Sequence, residues 1–259
     1  MFQYCLFDLD GTLTDPREGI TRSAQYALKK AGIEEPDHQK LAFFIGPPLR
    51  DTFMEVYGMT REQAEKAVAD YRERFAPIGI LENQIFDGIE KLLCELKKQG
   101  TKLAVASSKP AVFVEQILEH FEIKQYFTVV VGSELDGTRD AKEEVVEEAL
   151  RQLGILYSPL EERKRLCAMV GDRKFDIQGA KAYGLTGVGV RFGFAEEGEL
   201  EAEGADYVGG VSGISSGFIR KSYAKCEITG SSYVGGIAGS ATIVSNCCSM
   251  VLINEASEK

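Results

Sequence analysis

The chain contains no Cys-x-x-Cys pair and only two histidines, His38 and His120. Its six cysteines (Cys5, Cys94, Cys167, Cys226, Cys247, Cys248) therefore do not supply a Cys/His zinc framework. Cys5, Cys94 and Cys167 are expected as buried free thiols in a reducing compartment. No uninterrupted apolar run is long enough to span a bilayer. The N-terminus lacks a basic start followed by an apolar stretch and a small-residue cleavage site, so export is not expected and a cytoplasmic location is. Positive charge is also short, with 30 Lys and Arg against 40 Asp and Glu for a net −10. That balance argues against broad binding to nucleic acid or to an anionic membrane, both of which need a basic field. An acidic chain that binds phosphorylated ligands has to do so with local positive charge, a metal or backbone amides.

What is present is an ordinary soluble composition, 44% hydrophobic and 27% charged over 259 residues, enough for one large domain or two smaller ones. Up to about residue 208, β-like runs alternate with amphipathic helical stretches. Strands are expected at 3–8, 102–107, 127–131, 166–171 and 187–190, with helices at 88–99, 111–121, 142–153 and 176–183. Alternation of this length predicts an α/β fold, a Rossmann-like parallel sheet with helices on both faces. Ligands of such sheets bind beyond the carboxyl ends of the strands. Residues 16–79 break the pattern and read as successive helices, clearest at 16–32, 46–57 and 60–75. They are either an inserted cap able to close over a site or a flank packed on the sheet. The division expected is a core of residues 1–15 and 80–208, a helical cap of 16–79, and a tail of 209–259.

The tail differs in kind. Tyr207-Val208-Gly209-Gly210-Val211-Ser212-Gly213 recurs as Tyr233-Val234-Gly235-Gly236-Ile237-Ala238-Gly239, 26 residues on. From Gly209 onward there are four basic and three acidic residues, so the preceding body alone carries −11. A Gly- and Ser-rich β-type repeat is expected, in fewer copies than such arrays need for stability.

Four signals carry chemistry. Cys5-Leu6-Phe7-Asp8-Leu9-Asp10-Gly11-Thr12 is an apolar strand that delivers two carboxylates into a glycine turn, where one can attack and the other can handle a proton. Leu103 to Ala106 lead into Ser107-Ser108-Lys109-Pro110, hydroxyls at a helix start that can hold phosphate oxygens or simply cap the helix. Lys142 begins another helix and either neutralises a phosphate or the attacking carboxylate or is surface charge. Met169-Val170-Gly171-Asp172-Arg173-Lys174-Phe175-Asp176 ends a strand in two aspartates four apart, with Asp172 placed to share a metal with Asp8.

Taken in this order, the motifs resemble the haloacid dehalogenase superfamily over residues 1 to about 208. The branch with a helical cap after the first motif, which includes phosphoglycolate phosphatase-like and 5′-nucleotidase-like enzymes, is the most similar. Phe44-Ile45-Gly46-Pro47-Pro48-Leu49-Arg50, Asp136-Gly137-Thr138-Arg139 and Gly204-Ala205-Asp206-Tyr207 share that look. The resemblance implies a Mg²⁺-dependent phosphatase acting on a small phosphorylated metabolite or nucleotide through an aspartyl-phosphate. It implies Asp8 as nucleophile, Asp10 as acid and base, and Ser107 and Lys142 as phosphoryl ligands. Mg²⁺ would lie among Asp8, the Asp10 backbone carbonyl and Asp172, with Asp176 orienting its shell. Ser108 would also face the substrate. Arg50 is the cap's candidate for leaving-group contact or else a solvated helix residue. Lys109 and Arg173 either add charge at the site mouth or are solvated surface.

A dehalogenase is disfavoured by the acid-base aspartate at position 10, and nothing points to the second phosphate site that a mutase needs. After residue 208 the helix expected from the resemblance is replaced by the repeat, which resembles the GLUG-type repeats of large bacterial surface proteins. That junction is expected to mark a fusion, truncation or assembly artefact. It leaves open a second reading, an inactive fusion product or a binding protein whose tail carries the role.

Overall fold

Six short runs rich in β-branched, aromatic and small residues build one parallel sheet, and the helices between them cover both of its faces. The structure, a computed structural model, describes residues 2–209 and, beyond them, only the backbone of short strands within 212–255. The expectations for the repeat tail, its GLUG resemblance and the replaced terminal helix therefore lie outside the residues described with side chains. The first half of the chain comprises β1 (Tyr4–Phe7), β2 (Thr14–Asp15), α1 (Arg17–Lys30), α2 (Leu49–Tyr57), α3 (Arg61–Arg74), β3 (Gln84–Ile85) and α4 (Ile89–Lys98). There follow β4 (Lys102–Pro110), α5 (Ala111–His120), β5 (Val129–Ser133), α6 (Lys142–Gln152) and α7 (Leu160–Leu166). The rest is β6 (Cys167–Gly171), α8 (Lys174–Ala182), β7 (Thr186–Val190), α9 (Glu199–Ala202) and β8 (Tyr207–Gly209).

Within residues 2–209 the sheet order is β8-β7-β6-β1-β4-β5 with every pair parallel, the α/β architecture expected. Alternate residues of each strand serve opposite faces. Cys5, Phe7, Leu103 and Val105 join the cluster that includes Leu93, Val114 and Leu118. Leu6, Ala104, Ala106 and Met169 join the one formed with Val145, Ala149 and Leu150 of α6. A sheet buried on both faces needs apolar residues at every position, which is why these strands read as continuous apolar runs. Burial pushes the Cys5 thiol up to about 12 and that of Cys167 up to about 11, so both stay protonated and inert. Cys94 is only partly buried, unlike the other two.

Between β2 and β3 lie α1, a 3₁₀ turn at His38–Phe44, α2, α3 and a π turn at Phe75–Gly79. Thr60 and Gln63 cap α3 reciprocally, and Gly58 at φ +63° ends α2. Phe44 packs 4.8 Å from Phe53 and 6.3 Å from Tyr57, giving this block its own aromatic core. Asp70 of α3 lies 2.6 Å from both Lys30 of α1 and Lys66. The strand expected at 127–131 lies two residues later, and α7 was not foreseen because Leu160 to Leu166 offers no apolar stripe. Among the described residues no helix is long and apolar enough to cross a membrane.

Candidate active site

Register explains why three distant motifs meet. Phe7 of β1 pairs with Val105 of β4 on one side and Val170 of β6 on the other. Asp8, Ser107 and Asp172 therefore all emerge from neighbouring strands at the same edge of the sheet. The backbone closes at once behind Asp8, since Gly11 N–H donates to Thr14 O (2.7 Å) and Leu13 and Thr14 N–H both donate to Leu9 O. Gly11 has φ +84°, and a Cβ there would lie 2.2 Å from Asp172 Oδ2. The turn needs glycine for conformation and for space. Gly193 also approaches Asp172, with a Cβ position 2.4 Å from its carboxylate.

Asp172 is fully buried and accepts from Thr12 Oγ1 (3.1 Å) and from the Phe194 N–H (2.7 Å). Burial, then Asp176 and Asp8, raise its pKa well above the usual carboxylate value, with Phe194 N–H and Thr12 opposing. Asp176, also fully buried, accepts from the Arg173 N–H at 3.0 Å in the first turn of α8. Lys142, at the start of α6, lies with Nζ 2.9 Å from Asp8 Oδ1 and 2.9 Å from Asp176 Oδ1, and donates to Ala106 O at 3.1 Å. Burial works against its charge, but Asp176 and Asp8 outweigh that and raise its pKa. For Asp176 burial dominates and raises the pKa, Lys142 opposing.

Asp8, Asp172 and Asp176 present oxygens that all lie within 4.8 Å of one another, and among the described residues the buried cation paired with them is Lys142. Apart from these ion pairs, Asp8 Oδ1 and Asp176 Oδ1 have no hydrogen-bond partner. Such an all-oxygen cluster with excess negative charge and unfilled acceptor capacity fits a hard divalent cation. The Asp10 side chain is not part of it. Asp10 Oδ2 pairs with Lys109 Nζ at 2.5 Å, and that ammonium sits 4.8 Å over the Phe75 ring of the helical block. Burial raises the Asp10 pKa, Lys109 opposes, and Asp8 adds to the rise.

In front of these groups lies a cavity of about 320 Å³ between the strand ends and the faces of α2 and α3. Asp8, Asp10, Ser107, Ser108, Lys109 and Arg50 line it, whereas Lys142, Asp172 and Asp176 lie behind its wall. Ser107 Oγ accepts from the Lys109 N–H at 3.3 Å, and Ser108 O accepts from Ser133 Oγ at 2.8 Å. Arg50 is neither free nor fully solvated, for it lies 3.2 Å from Asp51 and 3.5 Å from Asp140 across the cavity. Lys109 and Arg173 are not solvated surface. Arg173 pairs with Glu199 at 2.8 Å and donates to Ile45 O at 2.9 Å, tying the α8 start to the loop before α2. Sequence reasoning missed Thr12 and Phe194. Only Thr12 had a signal, a hydroxyl inside the first motif.

Residues 5–190 match the family described as haloacid dehalogenase-like hydrolase. The chain belongs to that family. A Pseudomonas aeruginosa protein named 5′-nucleotidase is 50% identical to this hydrolase over 197 residues, covering 76% of this chain and 86% of that one. A crystal structure described as a predicted phosphatase from Clostridium acetobutylicum superposes with TM-score 0.75 at 45% identity, covering 80% of this chain and 93% of that one. The Mycobacterium tuberculosis protein named tyrosine-protein kinase PtkA is 41% identical over 192 residues, 74% of this chain and 63% of its own length. With the family matched and these relatives alongside, the enzyme is a phosphatase.

Proposed function

We propose that this phosphatase hydrolyses a small phosphomonoester, a nucleotide or similar phosphorylated metabolite, through a phosphorylated Asp8. The observation that carries the reading is the buried cluster of Asp8, Asp172 and Asp176 around Lys142, which meets the cavity through Asp8. Asp8 attacks phosphorus, the bond to the leaving oxygen breaks, and Asp10 gives that oxygen its proton. Asp10 then takes a proton from the water that attacks the Asp8 phosphate, and inorganic phosphate departs. Ser107 hydroxyl and Lys142 ammonium hold the phosphoryl oxygens, and Lys142 is pre-positioned for this by Asp176 and Ala106 O. Ser108 adds a polar group beside Ser107 on the wall, and Lys109 orients Asp10. Asp8, the Asp10 backbone carbonyl and Asp172 would hold Mg²⁺, with Asp176 orienting its shell. When bound, the metal offsets the carboxylate charge and polarises the phosphoryl group.

In this reading residues 16–79 act as a cap over a core of 1–15 and 80–208, and the cavity lies at their boundary. A nucleotide is favoured over a two-carbon phosphate by the relative named 5′-nucleotidase and by a cavity of about 320 Å³, within the range that takes a drug-sized ligand. Arg50 stands on the cap side as a leaving-group contact. The test is hydrolysis of 4-nitrophenyl phosphate with and without Mg²⁺, beside Asp8→Asn. Turnover that needs Mg²⁺ and disappears in Asp8→Asn supports the reading. Undiminished turnover in Asp8→Asn overturns it.

A further inference from the structure

The cavity is lined by the cations Arg50, Arg61, Arg72 and Lys109, and three of them are matched to carboxylates. Arg50 pairs with Asp51 and Asp140, Arg61 with Glu65, and Lys109 with Asp10. Arg72, on α3, has no carboxylate partner among the described residues, and its one hydrogen bond runs from Nη1 to Leu135 O at 2.9 Å across the cavity. A guanidinium has five N–H donors in a rigid planar fork, so most of its donor capacity is unspent. Burial also pulls its pKa below the ordinary arginine value, with Tyr71 opposing weakly. A partly desolvated cation with open donors favours an incoming acceptor group.

The neighbouring wall supplies the second half of the argument. Tyr71 stacks on Phe75 at 5.3 Å, and Phe75 meets Phe113 edge-on at 5.4 Å. These three rings line the same cavity as Arg72. With the Phe75 ring already engaged by Tyr71 and the Lys109 ammonium, the wall borders a planar ligand with apolar ring edges, while a guanidinium fork reads acceptors on that ligand's edge. Among nucleobases, the pair of in-plane acceptors that a guanidinium reads bidentately is the oxo and N7 edge of a 6-oxopurine. Adenine keeps N7 but puts an amino donor in place of the oxo group, leaving one arm of the fork facing a donor.

We propose that Arg72 is a specificity-determining residue that reads the oxo edge of the leaving group, so that this site prefers a 6-oxopurine nucleoside 5′-monophosphate. The inference rests on the phosphatase reading only for which end of the ligand meets Asp8. The test compares wild type, Arg72→Gln and Arg72→Lys. It measures kcat/KM for inosine 5′-monophosphate, adenosine 5′-monophosphate and phenyl phosphate, and calorimetric binding of unphosphorylated inosine. Wild type should favour inosine monophosphate over adenosine monophosphate by about 10-fold, the scale of one bidentate pair. Arg72→Gln should bring that ratio to within about twofold of unity and weaken inosine binding about 10-fold. Arg72→Lys keeps the charge without the fork, so the ratio should fall there as well, which preserves the test if Arg72→Gln does not fold. Equal losses on all three esters would mean that Arg72 is only a strut to Leu135 O and would overturn the proposal. Inosine binding that ignores the substitutions would overturn it too. If wild type turned over no phosphomonoester yet bound inosine in an Arg72-dependent way, the phosphatase reading would fail and this inference would stand.

Discussion

Replacing Lys142 by methionine removes the single cation between two buried carboxylates and keeps most of the side-chain volume. Lys142 is 6% exposed, Asp8 6% and Asp176 0%, with both oxygens 2.9 Å from the ammonium. Breaking a buried pair by deleting one partner costs about 3–5 kcal/mol, because the charge left behind has no water to return to. For a chain of this size each kcal/mol shifts the unfolding midpoint by about 2–4 °C. Lys142→Met in EDTA should therefore melt about 6–20 °C below wild type. The paired variant Lys142→Met/Asp176→Asn removes one of the two stranded charges and should recover part of that loss. Thermal unfolding followed by far-UV circular dichroism reads both. A single variant that melts within about 2 °C of wild type, less than one kcal/mol on this scale, would refute the reasoning.

Gly11→Ala places a methyl 2.2 Å from Asp172 Oδ2 and forces a side chain into φ +84°. It should cost at least the ~1–3 kcal/mol of a strained backbone position and lower activity, and an unchanged midpoint would contradict the packing described. Glu199 is partly buried, which raises its pKa, but Arg173 and the Lys174 and Glu196 N–H groups outweigh this and hold it below the ordinary glutamate value. A depressed folded-state pKa contributes stability above the ordinary value and loses it as pH falls through the folded one. Glu199→Gln should thus be less stable by about 2 kcal/mol at pH 7, with the gap closing below about pH 4. Mg²⁺ at about 100 times its dissociation constant should stabilise wild type by ~2.7 kcal/mol and Asp172→Asn by much less. Equal stabilisation of both would remove Asp172 from the metal site.

The fold was legible because strands such as Leu103-Ala104-Val105-Ala106 are apolar at every position, which fits a sheet buried on both faces. Motif residues stood out where a carboxylate or hydroxyl follows such a run, as at Asp8, Ser107 and Asp172. The sheet order that makes these three neighbours is a long-range property with no local signature. Lys109 and Arg173 were undecided in sequence because a lysine or arginine beside a motif looks the same whether solvated or paired. Asp10 and Glu199, 99 and 26 residues away respectively, decide the matter. Arg72 was invisible for a related reason. It lies in Arg61–Arg74, a helix so rich in charge that it reads as a solvated face, and only the opposed Leu135 loop reveals which side meets the cavity.

The central claim, that Asp8 carries the phosphoryl group, is tested most directly by trapping. Asp10→Asn, lacking the base that activates water, is mixed with ³²P-labelled 4-nitrophenyl phosphate, whose leaving group needs no proton, in the presence of Mg²⁺ and quenched in acid. The account predicts protein-bound label that is released by hydroxylamine, maps to the peptide bearing Asp8, and is absent from Asp8→Asn. Release of inorganic phosphate with no labelled protein, or label on any other residue, would contradict it.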